Sequence, residues 1–322
     1  MASNLTSKFS FIGIILSLLF CSCVDNYYDN YRDCPTCPSG NNNDTTSSKK
    51  ESYRVIFTAN VDEEAVRSST TPLQQNRYAV IYTFIYQGDY ISTTDYVTQQ
   101  AGILTPVSGK SLTLVNGKYE FYGLSIGNKS VYPPAVTDLS TGIVSGLSNG
   151  VDYLTTQSLP NTVSGNTTIP LTFSHACTQI MVEVVSANAT TITIDSIGSA
   201  QISQPTTNNN ILSLFTGKIS PSSSIQTSLT SMYISGDTCH QILLPLTYSS
   251  PLTMKFSAYI NGETSARNYT ASIPLPNNRL AAGSSYLYEI EITESTVTFN
   301  TVNVKNWTEV NETGTPIIPT PQ

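Results

Sequence analysis

The side chains able to do nucleophilic, redox or metal chemistry in this 322-residue chain are few: six cysteines and two histidines, His175 and His240. Two histidines far apart in sequence are poor material for a histidine-based metal site. No HExxH, Walker or dinucleotide fingerprint is present. Gly146-Leu147-Ser148-Asn149-Gly150 matches G-x-S-x-G, but a nucleophile elbow needs a strand before it and a helix after it. Its flanks, TGIVSG and VDYLTT, carry no helix signal, so the segment reads as a Gly/Ser/Asn loop. Cys34-Pro35-Thr36-Cys37 is a C-x-x-C in a Pro/Gly/Asn tract, without a second C-x-x-C at zinc spacing; a small local disulfide is expected there. Cys177 and Cys239 either pair or stay as buried apolar thiols, and the sequence leaves both open. His175 is expected on a strand face beside Phe173, packed and bonded to neighbouring backbone. Catalysis, cofactors and metals are therefore not expected.

Cys23 has a different chemistry. Phe9–Phe20 is a 12-residue apolar run behind Lys8, too short to span a bilayer and right for the core of an export signal. It closes on Phe20-Cys21-Ser22-Cys23, which looks like a bacterial lipobox, with Cys23 as the acylated (palmitate-bearing) first residue of the mature chain. The following VDNYYDNYRD resembles the acidic surface-export signals of outer-membrane lipoproteins. The expected location is the outer face of the outer membrane, held by several acyl chains on one cysteine.

The elements behind these residues follow from composition and periodicity. Only 11% of residues are charged, about a quarter are Ser or Thr, and 39% are hydrophobic. That supports real cores under a surface of hydroxyls and amides. A net charge of −7 excludes nucleic acid as a main partner, since phosphate binding needs a basic face. Nineteen Tyr against one Trp, with many Thr, Val and Ile, favour strands. After a signal at 1–22, residues 23–52 are a polar, aperiodic tether. From Tyr53 the pattern has period two: Tyr53, Val55, Phe57 and Ala59 share a face. Tyr78–Tyr86 is apolar on both faces, as in a central strand. Asn116-Gly117 and Asn261-Gly262 read as hairpin turns. Leu171, Phe173 and His175 lie on one parity and Ile180, Val182 and Val184 on the other, which predicts that the chain bends or inserts a residue near Ala176–Thr178, as a β-bulge would. Trp307 is expected to pack at the close of the last strand. The chain is expected to be all-β, with two β-sandwiches at 53–170 and 171–310 and a tail at 311–322.

Taken in order, these segments resemble the fimbrillin family, the pilus-forming and pilus-associated lipoproteins of gut and oral Gram-negative anaerobes. The carrying residues are the lipobox at Cys23, the early strand Tyr53–Val61 and a following loop with Arg67. Next comes Leu114-Val-Asn-Gly-Lys-Tyr-Glu-Phe-Tyr122, similar to G-x-Y-x-F-x-A. LTFSHACTQIMVEV, after Gly150-Val-Asp-Tyr-Leu154, resembles L-x-F-x-H-x-x-A-K-V-x-V, with Thr178 and Gln179 where the family has Ala and Lys. Leu280–Tyr286 resembles L-x-A-G-x-x-Y, and Val302–Trp307 resembles V-x-V-x-x-W. Asp25–Cys37 is also similar to the anchor-subunit branch.

The resemblance implies two tandem transthyretin-like β-sandwich domains and polymerisation by strand exchange with other fimbrial subunits. In the family a trypsin-like maturation protease cuts the loop after the first strand, that strand leaves, and the C-terminal strand of the next subunit fills the groove. Here the expected cut lies between Arg67 and Ser68. The expected donor is Val297–Val304; Val297 and Phe299 oppose Val302 and Val304 in parity, which suggests two short strands. Two other readings compete with a polymerising subunit: a non-polymerising anchor or tip subunit, and a surface glycan-binding lipoprotein of a sugar-uptake system. A single Trp argues against the latter.

Overall fold

A computed structural model describes residues 50–62, 70–128, 131–305 and 307, and among these the regular structure is strand apart from two short 3-10 turns. The first half contains β1 (Ser52–Asp62), β2 (Thr70–Pro72), β3 (Tyr78–Ile85), β4 (Tyr90–Thr98), β5 (Ile103–Pro106), β6 (Leu112–Val115) and β7 (Gly117–Ser125). It continues with β8 (Val136–Asp138), β9 (Ile143–Val144), β10 (Leu154–Gln157), β11 (Asn161–Val163) and β12 (Thr167–His175). Seven of them pair in the cycle β1, β5, β4, β3, β7, β10, β12 and back to β1, a sheet closed on itself like a barrel. Closure leaves no open edge in the ring itself. Alternation directs one side of each strand inward: Phe57, Ala59, Ile81, Phe121, Leu171 and Phe173 fill the interior.

The second half contains β13 (Thr178–Ser186), β14 (Ile194–Pro205), β15 (Leu212–Ser213), β16 (Lys218–Ile219), β17 (Ile225–Ser231), β18 (Tyr233–Ser235) and β19 (Thr238–Leu243). It ends with β20 (Leu246–Thr247), β21 (Leu252–Ile260), β22 (Arg267–Ile273), β23 (Arg279–Leu280), β24 (Ser285–Ile292) and β25 (Val297–Lys305). Two sheets, β18-β19-β13-β24-β25 and β17-β14-β21-β22, share one core. Val182, Tyr288 and Ile290 enter it from the first sheet, and Ile202, Met254 and Ala258 from the second.

A third apolar cluster joins the halves. β3 is buried on both faces, as its sequence requires: Ala79 and Ile81 point into the barrel, while Val80, Tyr82 and Phe84 point outward to Leu212, Leu214 and Ile242. A small sheet, β16-β15-β9-β8, crosses the same junction, with Leu212 of β15 opposite Val144 of β9.

Three expectations change. Asn116-Gly117 does not turn a hairpin: β6 pairs with β1, and β7 with β3, β10 and β11. The Asn-Gly pair marks a corner at which the chain changes neighbours, and neither residue has positive φ. Asn261 and Gly262 do take φ of 54° and 72°, joining β21 to β22. The parity switch at Ala176–Thr178 is a change of sheet rather than a bulge in one strand. β12 stays paired with β1 as far as Ser174, and β13 begins at Thr178 in the other sheet. Leu171, the expected first residue of the second half, therefore sits within β12 opposite Ala59, and the changeover falls after His175.

Gly102 shows how tightly β1 is held. Its φ is +70°, and a Cβ added there would collide with the backbone oxygen of Ala59. Gly109 has φ +71° with open space around it. Gly109→Ala is expected to cost about 1 kcal/mol from backbone strain, and Gly102→Ala at least about 2 kcal/mol more, in equilibrium unfolding. Equal costs would mean that β1 can shift away from the turn.

Candidate functional site

β1 is a central strand despite being the first. Along one edge Val55–Asp62 pairs in parallel with Thr167–Ser174 of β12. The other edge is shared in sequence by β6 at Ser52–Val55, β5 at Phe57–Thr58 and β2 at Asn60–Asp62. Val55, Phe57, Ala59 and Val61 are all buried, Phe57 and Ala59 completely. The Phe57 ring meets Phe121 at 5.1 Å and Tyr96 at 5.5 Å, edge to face. Burial in that packing pushes the Tyr96 hydroxyl pKa up to about 12.

β25 is the opposite kind of strand. Among the described residues it forms the end of its sheet, paired only through β24. Glu289 lies opposite Thr301 and Ile290 opposite Phe299, so Asn300 is an extra residue, a β-bulge. Two short strands are therefore replaced by one bulged strand. The bulge cancels the parity change: Val297, Phe299, Val302 and Val304 stand opposite Ile292, Ile290, Tyr288 and Tyr286, all on the core-facing side. Val297 and Val302 pack partly against the core, whereas Phe299 is 37% exposed and Val304 50% exposed. Asn300 turns outward to the Glu289 and Glu291 carboxylates.

Just beyond β25, Trp307 is buried in the junction cluster and stacks on the His175 ring, with centroids 4.0 Å apart and planes 16° apart. His175 Nδ1 donates to the Asp152 carboxylate, 2.9 and 3.0 Å from its two oxygens. His175 is thus packed as expected, but its partner is a buried carboxylate rather than backbone. An aromatic stacked on the ring and a carboxyl group bonded to its Nδ1 hold the imidazole on two sides. Sequence reasoning overlooked Asp152; its signal was an acid between Val151 and Tyr153 in an apolar stretch.

Other candidates resolve simply. Ser148 is exposed in a loop, with its N–H donating to the Tyr153 hydroxyl at 3.0 Å. Asn149 beside it bridges the halves, donating to Pro205 O and accepting from Leu244 N–H. The G-x-S-x-G segment is a clamp between the two halves. Cys177 and Cys239 are both free and buried. Burial raises both thiols, Cys239 to about 12 and Cys177 further, so neither is a ready nucleophile. His240 is buried on β19, which lowers its pKa. Among the described residues no group of three or more His, Cys, Asp or Glu is arranged to hold a metal. Cys23, Cys34, Cys37, Arg67 and Ser68 lie outside the described residues.

Trp307→Ala is expected to destabilise the chain by about 3–5 kcal/mol and to speed amide hydrogen exchange in β25 more than in β24. Unchanged exchange in β25 would show that Trp307 does not hold the strand.

A family model described as fimbrillin-like matches residues 74–307. Among solved structures, a candidate cell adhesion protein from Bacteroides uniformis ATCC 8492 aligns with TM-score 0.59 at 16% identity, covering 79% of this chain and 98% of that one. A second, from Bacteroides ovatus ATCC 8483, aligns with TM-score 0.57 at 14% identity, covering 80% and 98%. A third, from Bacteroides fragilis NCTC 9343, aligns with TM-score 0.52 at 16% identity, covering 80% and 99%. At these identities the likeness establishes a shared fold. No curated protein matches the sequence.

Proposed function

The chain belongs to the fimbrillin-like family, and on that premise we propose that it is a structural, adhesive fimbrial subunit that polymerises by strand exchange. Export as a surface lipoprotein acylated at Cys23 precedes assembly. A trypsin-like protease cuts between Arg67 and Ser68, β1 leaves, and β25 of another subunit enters the vacated slot. In this reading the closed and the two-sheet halves are two transthyretin-like domains in tandem.

The observation that carries the reading is the contrast between β1 and β25. β1 fills a slot paired on both sides, and its departure would uncover the interior residues Leu104, Leu114, Ile169 and Leu171 beside two rows of unpaired backbone groups. Such a slot is a strong template for an added strand. β25 is an edge strand with four apolar side chains on one face, two of them exposed. Both strands contain a Val-x-Phe pattern, Val55-x-Phe57 within β1 and Val297-x-Phe299 at the start of β25. Each large apolar side chain that moves from water into such a slot contributes roughly 1.5–3 kcal/mol.

Surface extract of the native host is expected to give a ladder on an unboiled gel that collapses to monomer on boiling. Val304→Asp, at a half-exposed position, is expected to change monomer stability by less than about 0.5 kcal/mol and to abolish the ladder. A ladder that survives Val304→Asp would remove β25 as donor. Absence of any ladder in the unmodified strain would leave an anchor or tip subunit.

A further inference from the structure

We propose that the cleft between the β3–β4 turn, β7 and the loop after β15 is a binding site for a neutral oligosaccharide. The inference goes beyond the fimbrial reading and does not depend on it, because a subunit that fails to polymerise still carries the cleft. Phe84, Tyr90, Tyr122 and Phe215 line it, with Asp89 and Glu120 on its rim, around a cavity of about 560 Å³. That size falls within the usual range of small-molecule sites, roughly 300–1,000 Å³.

The four rings are arranged before any ligand arrives. Phe84 contacts Tyr90, Tyr122 and Phe215 at centroid distances of 5.5 to 5.6 Å, and Tyr122 meets Phe215 at 5.1 Å, all edge to face. Phe84 and Tyr122 are buried, whereas Tyr90 is 37% exposed and Phe215 half-buried. Phe215 is seated against Gly142, where φ is +63° and an added Cβ would lie 2.9 Å from the ring. Leu214 N–H donates to Gly142 O at 2.7 Å, fixing the loop that carries the ring. The glycine thus makes room for an aromatic brought from the second half of the chain.

The chemistry selects the ligand class. Aromatic surface accepts the C–H face of a pyranose, and the carboxylates of Asp89 and Glu120, with the Gln87 amide, accept or donate to its hydroxyls. The lining contains no lysine or arginine. Lys118, which is not among the lining residues, sits over the Tyr86 ring at 4.0 Å. An anionic sugar would therefore meet two carboxylates with no compensating cation in the lining. A cage for an ammonium group needs rings standing apart around a gap. Here the rings pack edge to face against one another at interplanar angles of 68° to 87°, and Tyr90 and Phe215 are the two that keep exposed surface for a sugar to meet.

The test is capture of the full chain on an array of neutral and acidic oligosaccharides, followed by calorimetric titration with the best neutral glycan. Neutral glycans are expected to bind. Tyr90→Ala and Glu120→Gln are each expected to weaken that binding at least about tenfold, with unchanged melting temperature. Failure of every neutral glycan to bind, preference for acidic glycans, or full binding by both variants would overturn the proposal.

Discussion

Closure of the first sheet by β1 is the constraint on which the rest of the molecule depends. A parallel ladder to β12 on one side and three short antiparallel ladders on the other make β1 the shared neighbour of four strands. The strands it touches come from points as distant in sequence as Thr70 and Ser174. Its inward side chains complete a core that the other strands cannot seal. Gly102 and the Leu73 N–H, which donates to Ala59 O at 2.9 Å, add close backbone contacts around the same residue. A strand so well accommodated leaves a well-defined slot if it is withdrawn, because the surrounding ladders already fix spacing and register.

The second half depends on the first through the junction rather than through a linker. β3 supplies the outer face, the Asn149 loop clamps onto Pro205 and Leu244, and β9 pairs with β15. Trp307 brings the end of β25 into this same cluster. The C-terminal strand is thus held at two places with different strengths: a half-exposed edge ladder along its length, and a buried ring stack at its end. The stack sits on His175, at the point where the chain passes from β12 into the second half.

Strand content was legible because alternation is a local signal. The run Tyr78–Tyr86, apolar on both faces, fixed β3 as central, and Leu171–His175 and Tyr286–Ile292 alternate in the structure as they do in sequence. Neighbour choice was not legible. Asn116-Gly117 carries hairpin chemistry, yet β6 finds β1 because a longer-range ladder outweighs a two-residue preference. A parity change has two structural meanings, and the sequence does not distinguish them. At Ala176–Thr178 it is a change of sheet, and at Asn300 it is a bulge. The aromatic cleft was hidden for the same reason: Phe215 lies more than a hundred residues from Phe84, and only the junction brings them together. The single Trp gave no sign of the cleft, since Trp307 is buried elsewhere and the cleft is built from Tyr and Phe.

The central claim is that β1 is absent from the assembled form and that its place is taken by a strand from another subunit. Mass spectrometry of subunits purified from the polymer, with N-terminal sequencing, addresses it most directly. The account predicts that polymerised subunits begin at Ser68 and lack Ser52–Asp62, while unassembled chains retain β1 and begin at Cys23. Polymerised subunits that still contain Ser52–Asp62 would contradict it.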